Sequence, residues 1–239
     1  MNRIFILSTI LVRDLFLSMS GIVPLAAALA FGLIAFEYGM DQAQFITVGG
    51  VGTLVLCFLT TLLLASRANR ASTYLVLARL HRRAELLASL ILASFSISVL
   101  LAILIALGNL LTGRLILELP ATYWIPPSWS PLLLLAASLG LALSGLVARG
   151  GSHLVGYLLL AGLLVANEQS ALLADRGLTW LARAVAAAIW PVSTLLAHAS
   201  AGSLDGAYFL AGALTLGYAI LLYLLAALLF QDKDLCWSE

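Results

Sequence analysis

Ala65-Ser-Arg-Ala-Asn-Arg-Ala-Ser-Thr-Tyr-Leu-Val-Leu-Ala-Arg-Leu-His-Arg-Arg-Ala-Glu-Leu-Leu87 lies between two long apolar runs. Five of the chain's twelve basic residues fall in it: Arg67, Arg70, Arg79, Arg82 and Arg83. A basic segment between two membrane spans is expected to face the cytoplasm. That placement sets the side of every other loop. Inside the segment, Tyr74-Leu75-Val76-Leu77 forms a short apolar patch flanked by arginines. An apolar patch supplies affinity and the surrounding cations supply orientation and on-rate, so the segment suits docking onto a soluble partner.

Composition fits that reading. The hydrophobic set takes 63% of the 239 residues and the charged set 10%, with mean hydropathy +1.10. Soluble domains carry about 25% charged residues, so a water-soluble globular fold is excluded as the expectation. Cys57 lies in an apolar run and Cys236 in a polar tail, which indicates no disulfide framework. The length suits one membrane domain, 1–239, without a separate soluble domain.

Spans need about 20 apolar residues. Six are expected: about Gly21–Phe36, Phe45–Ala65, Leu86–Leu111, Pro131–Ala148, about Ser152–Ala174, and Ala207–Phe230. Residues 1–20 are apolar but carry Arg3, Arg13 and Asp14, which fall within an arc of about 100° on a helix. The Arg13-Asp14 pair interrupts any signal-peptide core. An amphipathic helix along the inner surface is expected instead. With the amino terminus inside, Arg3, Arg13, the five arginines above, Arg149 and Lys233 are cytoplasmic, while Arg114, Arg176 and Arg183 are outside. This bias places both termini in the cytoplasm and requires an even number of spans.

The connection 175–206 is ambiguous. Ala184–Ala201 is apolar enough for another span, with Pro191 in its middle. A seventh crossing would put the tail outside and spoil the charge bias. A re-entrant or outer-surface helix broken near Pro191 is expected, since non-helical backbone at depth survives only when buried in protein. Tyr123, Trp124, Trp129, Trp180 and Trp190 are expected at the outer headgroup level, where an apolar ring and a polar tip are both accommodated. Ala136, Gly140, Ser144 and Ala148 recur every four positions, a stripe that lets helices approach closely.

The expected fold is therefore an all-α integral membrane protein with six transmembrane helices. An N-terminal amphipathic interfacial helix (1–20), a cytoplasmic loop (66–85) between helices 2 and 3, and a re-entrant or outer-surface segment (175–206) before helix 6 complete it.

Little in the chain points to chemistry. No Gly-x-x-x-x-Gly-Lys-Ser/Thr run is present, so any nucleotide-driven work must come from another polypeptide. His81, His153 and His198 are scattered and wrongly spaced for a metal site. Ser144 lacks a histidine at matching depth for nucleophilic catalysis. Neither catalytic residues, cofactor-binding residues, metal ligands nor nucleic-acid contacts are expected. Asn167-Glu168-Gln169 is the polar cluster nearest the bilayer. With the fifth helix starting near Ser152, Glu168 stands about 24 Å along it, close to the outer boundary. Either it snorkels to the surface or it lines the exit of a substrate path. The other spans have no charged residue at mid-membrane, which favours a hydrophobic or amphipathic cargo over ions.

Three places resemble the membrane (permease) subunits of type-2 ABC exporters. Arg70–Leu87 is similar to the family's inner loop, where a short helix ends in an Arg-x-Glu-like turn, here Arg83-Ala84-Glu85. Trp190-Pro191-Val192-Ser193-Thr194-Leu195-Leu196 resembles the Pro-x-Thr/Ser pattern before the last helix. Leu229-Phe230-Gln231-Asp232-Lys233-Asp234-Leu235 resembles the closing Phe-x-x-x-Asp-Leu. The family's Gly-Thr/Ser-Leu-Glu run is replaced here by Ala71-Ser72-Thr73-Tyr74. The resemblance implies a permease in a bacterial or archaeal cytoplasmic membrane, paired with a second copy as a homo- or heterodimer and surrounded by membrane lipid. Each copy would bind a separate ABC-type ATPase that holds the ATP and Mg. Residues 66–85 would be the coupling helix, with Tyr74, Leu75, Leu77, Arg79, Arg82, Arg83 and Glu85 at the docking surface. The chain itself would be a transport subunit, not an enzyme. A haem-exporter-type permease of cytochrome c maturation, for which His198 would matter, and a non-transporting membrane assembly protein are the alternatives.

Overall fold

The computed structural model describes residues 2–38, 41–69, 83–115, 122–148, 179–202 and 205–231. Every element among them is helical: α1 (Asn2–Phe16), α2 (Ile22–Tyr38), α3 (Gln42–Ala68), α4 (Arg83–Leu111), α5 (Ile125–Ala142), α6 (Thr179–Ala201) and α7 (Gly206–Gln231). Chains this apolar form helices because a helix satisfies its own backbone polar groups where water is absent. Four of the helices, α3, α4, α5 and α7, are long and apolar enough to cross a membrane. The α1–α2 pair passes the same criterion only as a bent unit, turned by 88° between Arg3–Phe16 and Met19–Ile34. The expected fifth span, Ser152–Ala174, lies outside the described residues.

Two buried clusters mark the two ends of the bundle. One contains Leu15 of α1, Leu64 and Ala68 of α3, Leu86 and Leu90 of α4, Leu141 of α5 and Phe230 of α7. It lies where the 65–87 stretch leaves α3 and enters α4, and is called the arginine end. The second joins Phe45, Ala102, Trp129, Leu132, Leu195, Leu196, Tyr208 and Ala211 at the opposite end. Helices α3, α5 and α7 run toward the arginine end and α4 runs away from it. Between the clusters, α5 packs tightly on α3: Cys57, Leu133, Ala136 and Ala137 are buried together.

The helices differ from expectation in three places. The fourth span runs Ile125–Ala142, not Pro131–Ala148. Pro126 and Pro127 open the helix, where a missing N–H costs nothing, and Leu143 closes it. The small-residue stripe is consequently half used, because Ser144 and Ala148 lie in the turns beyond α5. Helix α6 runs through Pro191 without a break. Pro191, Leu195 and Leu196 are buried at its C-terminal half, and that packing offsets the lost hydrogen bond. Helix α3 starts before Phe45, since Asp41 and Gln44 form a capping box in which the Asp41 carboxylate accepts from Gln44 N–H at 2.7 Å.

The α1–α2 corner depends on Gly21. A Cβ there would stand 2.5 Å from the Leu15 carbonyl oxygen, which is backbone and cannot step aside. The corner is also held by Arg67 of α3, which donates to Asp14 at 2.7 Å and to the Ser20 hydroxyl at 3.2 Å. Gly21→Ala is expected to lower stability by about 1–3 kcal/mol, read as a lower melting temperature in detergent. Gly217→Ala, where a Cβ meets nothing within 4 Å, should not lower it.

Candidate functional site

Of the expected site residues, Arg83 and Glu85 are described, and both stand at the arginine end. Arg83 is the first residue of α4, and its guanidinium donates to the Phe230 and Gln231 carbonyls at 3.3 and 3.2 Å. These carbonyls belong to the last described turn of α7. The end of the basic stretch is thereby fastened to the end of the last helix. Tyr223 adds a second tie between the same helices, donating its hydroxyl proton to the Ala84 carbonyl at 3.1 Å. Glu85 stands one turn into α4, and its Oε2 is the one buried side-chain oxygen among the described residues without a hydrogen-bond partner. A buried acceptor left open is uncommon and calls for an explanation. Tyr74, Leu75, Leu77, Arg79 and Arg82 lie outside the described residues, as do Asn167, Glu168 and Gln169.

Above this end, a lateral groove of about 530 Å³ opens between α4, α5 and α7, with Ile4 of α1 on its rim. Ala88, Phe95, Leu134, Ile220 and Tyr223 line it, and Ser138 is one of its few polar members. A smaller groove of about 290 Å³ lies between α2 and α4, where Gly32 and Gly108 leave room between leucines. Its polar residue, Asn109, donates its side-chain amide back to the Ile105 carbonyl at 2.9 Å. Both walls are those of a site for hydrocarbon. Neither contains a charged side chain, and no group of three or more metal-ligating residues occurs among the described residues.

The opposite end holds features that the sequence does not announce. Residues Phe45–Gly49 form a π-helical turn at the start of α3, a widened turn that leaves backbone carbonyls poorly matched. The indole N–H of Trp129 donates to the Ile46 carbonyl at 3.2 Å, while its ring packs against Phe45 with centroids 5.6 Å apart. Trp129 is 7% exposed, so it is a core residue and not the headgroup-level ring expected. The signal was its N–H, which finds backbone in place of lipid or water. Tyr123 and Trp180 are largely exposed, at 71% and 68%.

His198, in the last turn of α6, has both ring nitrogens engaged. Nδ1 faces the Thr194 carbonyl oxygen at 2.9 Å and Nε2 the Asp205 carboxylate at 3.0 Å. The Thr194 carbonyl first, and then Asp205, raise the His198 pKa above its ordinary 6.5. Asp205 also caps α7, accepting from Tyr208 N–H at 3.0 Å, which is the main reason its own pKa is lowered. Asp205 immediately before an apolar run is an N-cap signal that the sequence does carry. The Tyr208 hydroxyl in turn shares a hydrogen bond of 3.0 Å with Ser128 of α5.

Comparison of the chain with protein-family models, with curated proteins and with solved structures finds no match. Trp129→Phe keeps the buried ring but strands the Ile46 carbonyl, and is expected to cost about 1–3 kcal/mol. Chemical or thermal unfolding in detergent reads the difference.

Proposed function

We propose that this chain is the membrane-spanning permease subunit of an ATP-binding-cassette exporter that moves a hydrophobic or amphipathic substrate. In this reading residues 66–85 are the coupling segment, and a separate ATPase docks on Tyr74, Leu75 and Leu77 from the cytoplasm. The observation that carries it is the position of Arg83. Its bonds to the last carbonyls of α7 link the end of the basic stretch to a helix that lines the 530 Å³ groove. A displacement of the stretch by a soluble motor would then reach α4 and α7 together, and both are walls of that groove.

Other observations support the same reading. Arginines gather where α3 leaves and α4 enters, as a cytoplasmic loop requires. Helix α1 is turned by 88° from α2, buries Leu7 and Leu15, and leaves Phe5, Ile6 and Ile10 exposed. That pattern suits a helix lying in the inner interface with α2 as the first crossing. Helix α5 ends at the arginine end and α6 packs at the other; in this reading residues 152–174 are assigned the fifth of six crossings. Helix α6 then caps the outer end, and both termini are cytoplasmic. The broad apolar faces of α2 and α7 provide for lipid and for a second permease copy. Glu168, with Asn167 and Gln169, belongs to the outer end of the substrate path.

The test is co-purification with the cognate ATPase. The Leu75→Asp/Leu77→Asp double variant should lose the complex, and retention of the complex would overturn the docking surface. Arg83→Ala should keep the complex but reduce substrate-stimulated ATP hydrolysis about tenfold, equivalent to roughly 1.4 kcal/mol of lost coupling. Labelling of a cysteine introduced at Ser72 by an impermeant reagent from outside the cell would refute the orientation. Unchanged transport in a normally inserted Glu168→Ala variant would remove that residue from the path. Failure to find any ATPase partner would favour the non-transporting assembly protein.

A further inference from the structure

The strongest feature that the transport reading leaves unused is the polar chain at the end opposite the arginines. It runs from the Thr194 carbonyl through His198 and Asp205 to the α7 amide of Tyr208, and on through the Tyr208 hydroxyl to Ser128 of α5. We propose that His198 and Asp205 form a protonation-dependent latch, which fastens the end of α6 to the start of α7 when the imidazole is doubly protonated and releases it when one proton leaves.

The argument is geometric. Both oxygens facing the ring, the Thr194 carbonyl and the Asp205 carboxylate, are acceptors with no proton to give. A doubly protonated imidazolium donates to both at 2.9 and 3.0 Å. A neutral imidazole has one N–H, so one ring nitrogen would turn its lone pair toward an oxygen lone pair. Loss of the proton thus breaks one bond and adds repulsion in its place. It also removes the cation from the last turn of α6, where the helix dipole favours positive charge.

Among the described residues, few other groups compete for control. Helix α7, helix α5 and the π turn Phe45–Gly49 contain no Asp, Glu, Lys, Arg or His. Asp41, at the head of α3, is occupied in capping Gln44. On α6 itself Arg183 lies four turns away, at about 1.5 Å per residue. Tyr208 shares its hydroxyl hydrogen bond with Ser128. Asp205 is therefore the charge that His198 faces.

The direction with pH follows. The raised His198 value means that its share of the latch is complete below about pH 6.5 and is lost as pH rises through that raised value. The lowered Asp205 value means that its share is present above its ordinary 3.8 and is lost as pH falls through the lowered value. The latch is tightest between those limits and opens on the alkaline side. Asp205 holds the cap of α7 in both states, so opening frees the end of α6 without unwinding α7.

Hydrogen exchange of the full chain in nanodiscs, corrected for intrinsic rates, tests this at about pH 5.5 and about pH 9. Amides of the last turn of α6 in the wild-type chain should lose protection about tenfold at the higher pH, the equivalent of one hydrogen bond. Asp205→Asn keeps a capping oxygen but removes the charge, and should be poorly protected at both values. His198→Gln should show no pH dependence. Equal protection of the wild-type turn at both pH values, or an undiminished pH dependence in His198→Gln, would overturn the latch.

Discussion

Gly140 of α5 lies against the backbone of α3, where an added Cβ would stand 3.1 Å from both the Phe58 carbonyl oxygen and Thr61 Cβ. The rest of the bundle depends on this approach. Helices surrounded by hydrocarbon gain nothing from burying apolar surface against one another, so they are held by close packing of small residues. Ala136 and Ala137 continue the contact, and Cys57 adds a weak bond from Sγ to the Leu133 carbonyl at 3.4 Å. With α5 seated on α3, its remaining faces receive α4, α6 and α7. It is the shortest of the four long helices and has the most buried apolar window, at 56%.

Polar contacts between helices are concentrated at the two ends. At one end Arg67 meets Asp14 and Ser20, while Arg83 and Tyr223 tie α4 to α7. At the other, Trp129 meets Ile46, Ser128 meets Tyr208, and His198 meets Asp205. Between them, the buried hydroxyls of Thr53, Thr60, Thr61, Ser94, Ser98 and Thr215 bond back to carbonyls of their own helices. A hydroxyl satisfied in this way does not require a partner on a neighbouring helix. The middle of the bundle is therefore a set of smooth, small-residue contacts, fastened by polar ties above and below. In the proposed reading, a soluble motor would act at the arginine end and protonation of His198 at the other.

The candidate site was only partly legible before folding. Arg83 and Glu85 stood out as a pair following a basic run, but a run of residues cannot say that the guanidinium reaches carbonyls on a helix almost 150 positions later. The histidine at 198 was visible, and Asp205 carried a capping signal, yet the pairing requires a chain reversal between α6 and α7. Trp129 was misplaced because an indole N–H needs an acceptor, and local reasoning supplied the membrane interface. The π turn at Phe45–Gly49 supplied a backbone carbonyl instead.

Composition and periodicity alone determined that this chain builds apolar helices and that its densest basic stretch lies between two of them. Hydropathy and charge are sums over neighbouring residues, and the cost of placing them in lipid or water is local. The sequence also located most helix starts and stops to within a few residues. Only the tertiary structure decided which carbonyls were left open, which helices met through Gly140, and that Pro191 lies within an unbroken helix. Those outcomes depend on surfaces brought together from distant parts of the chain, where packing can outweigh what a residue prefers alone.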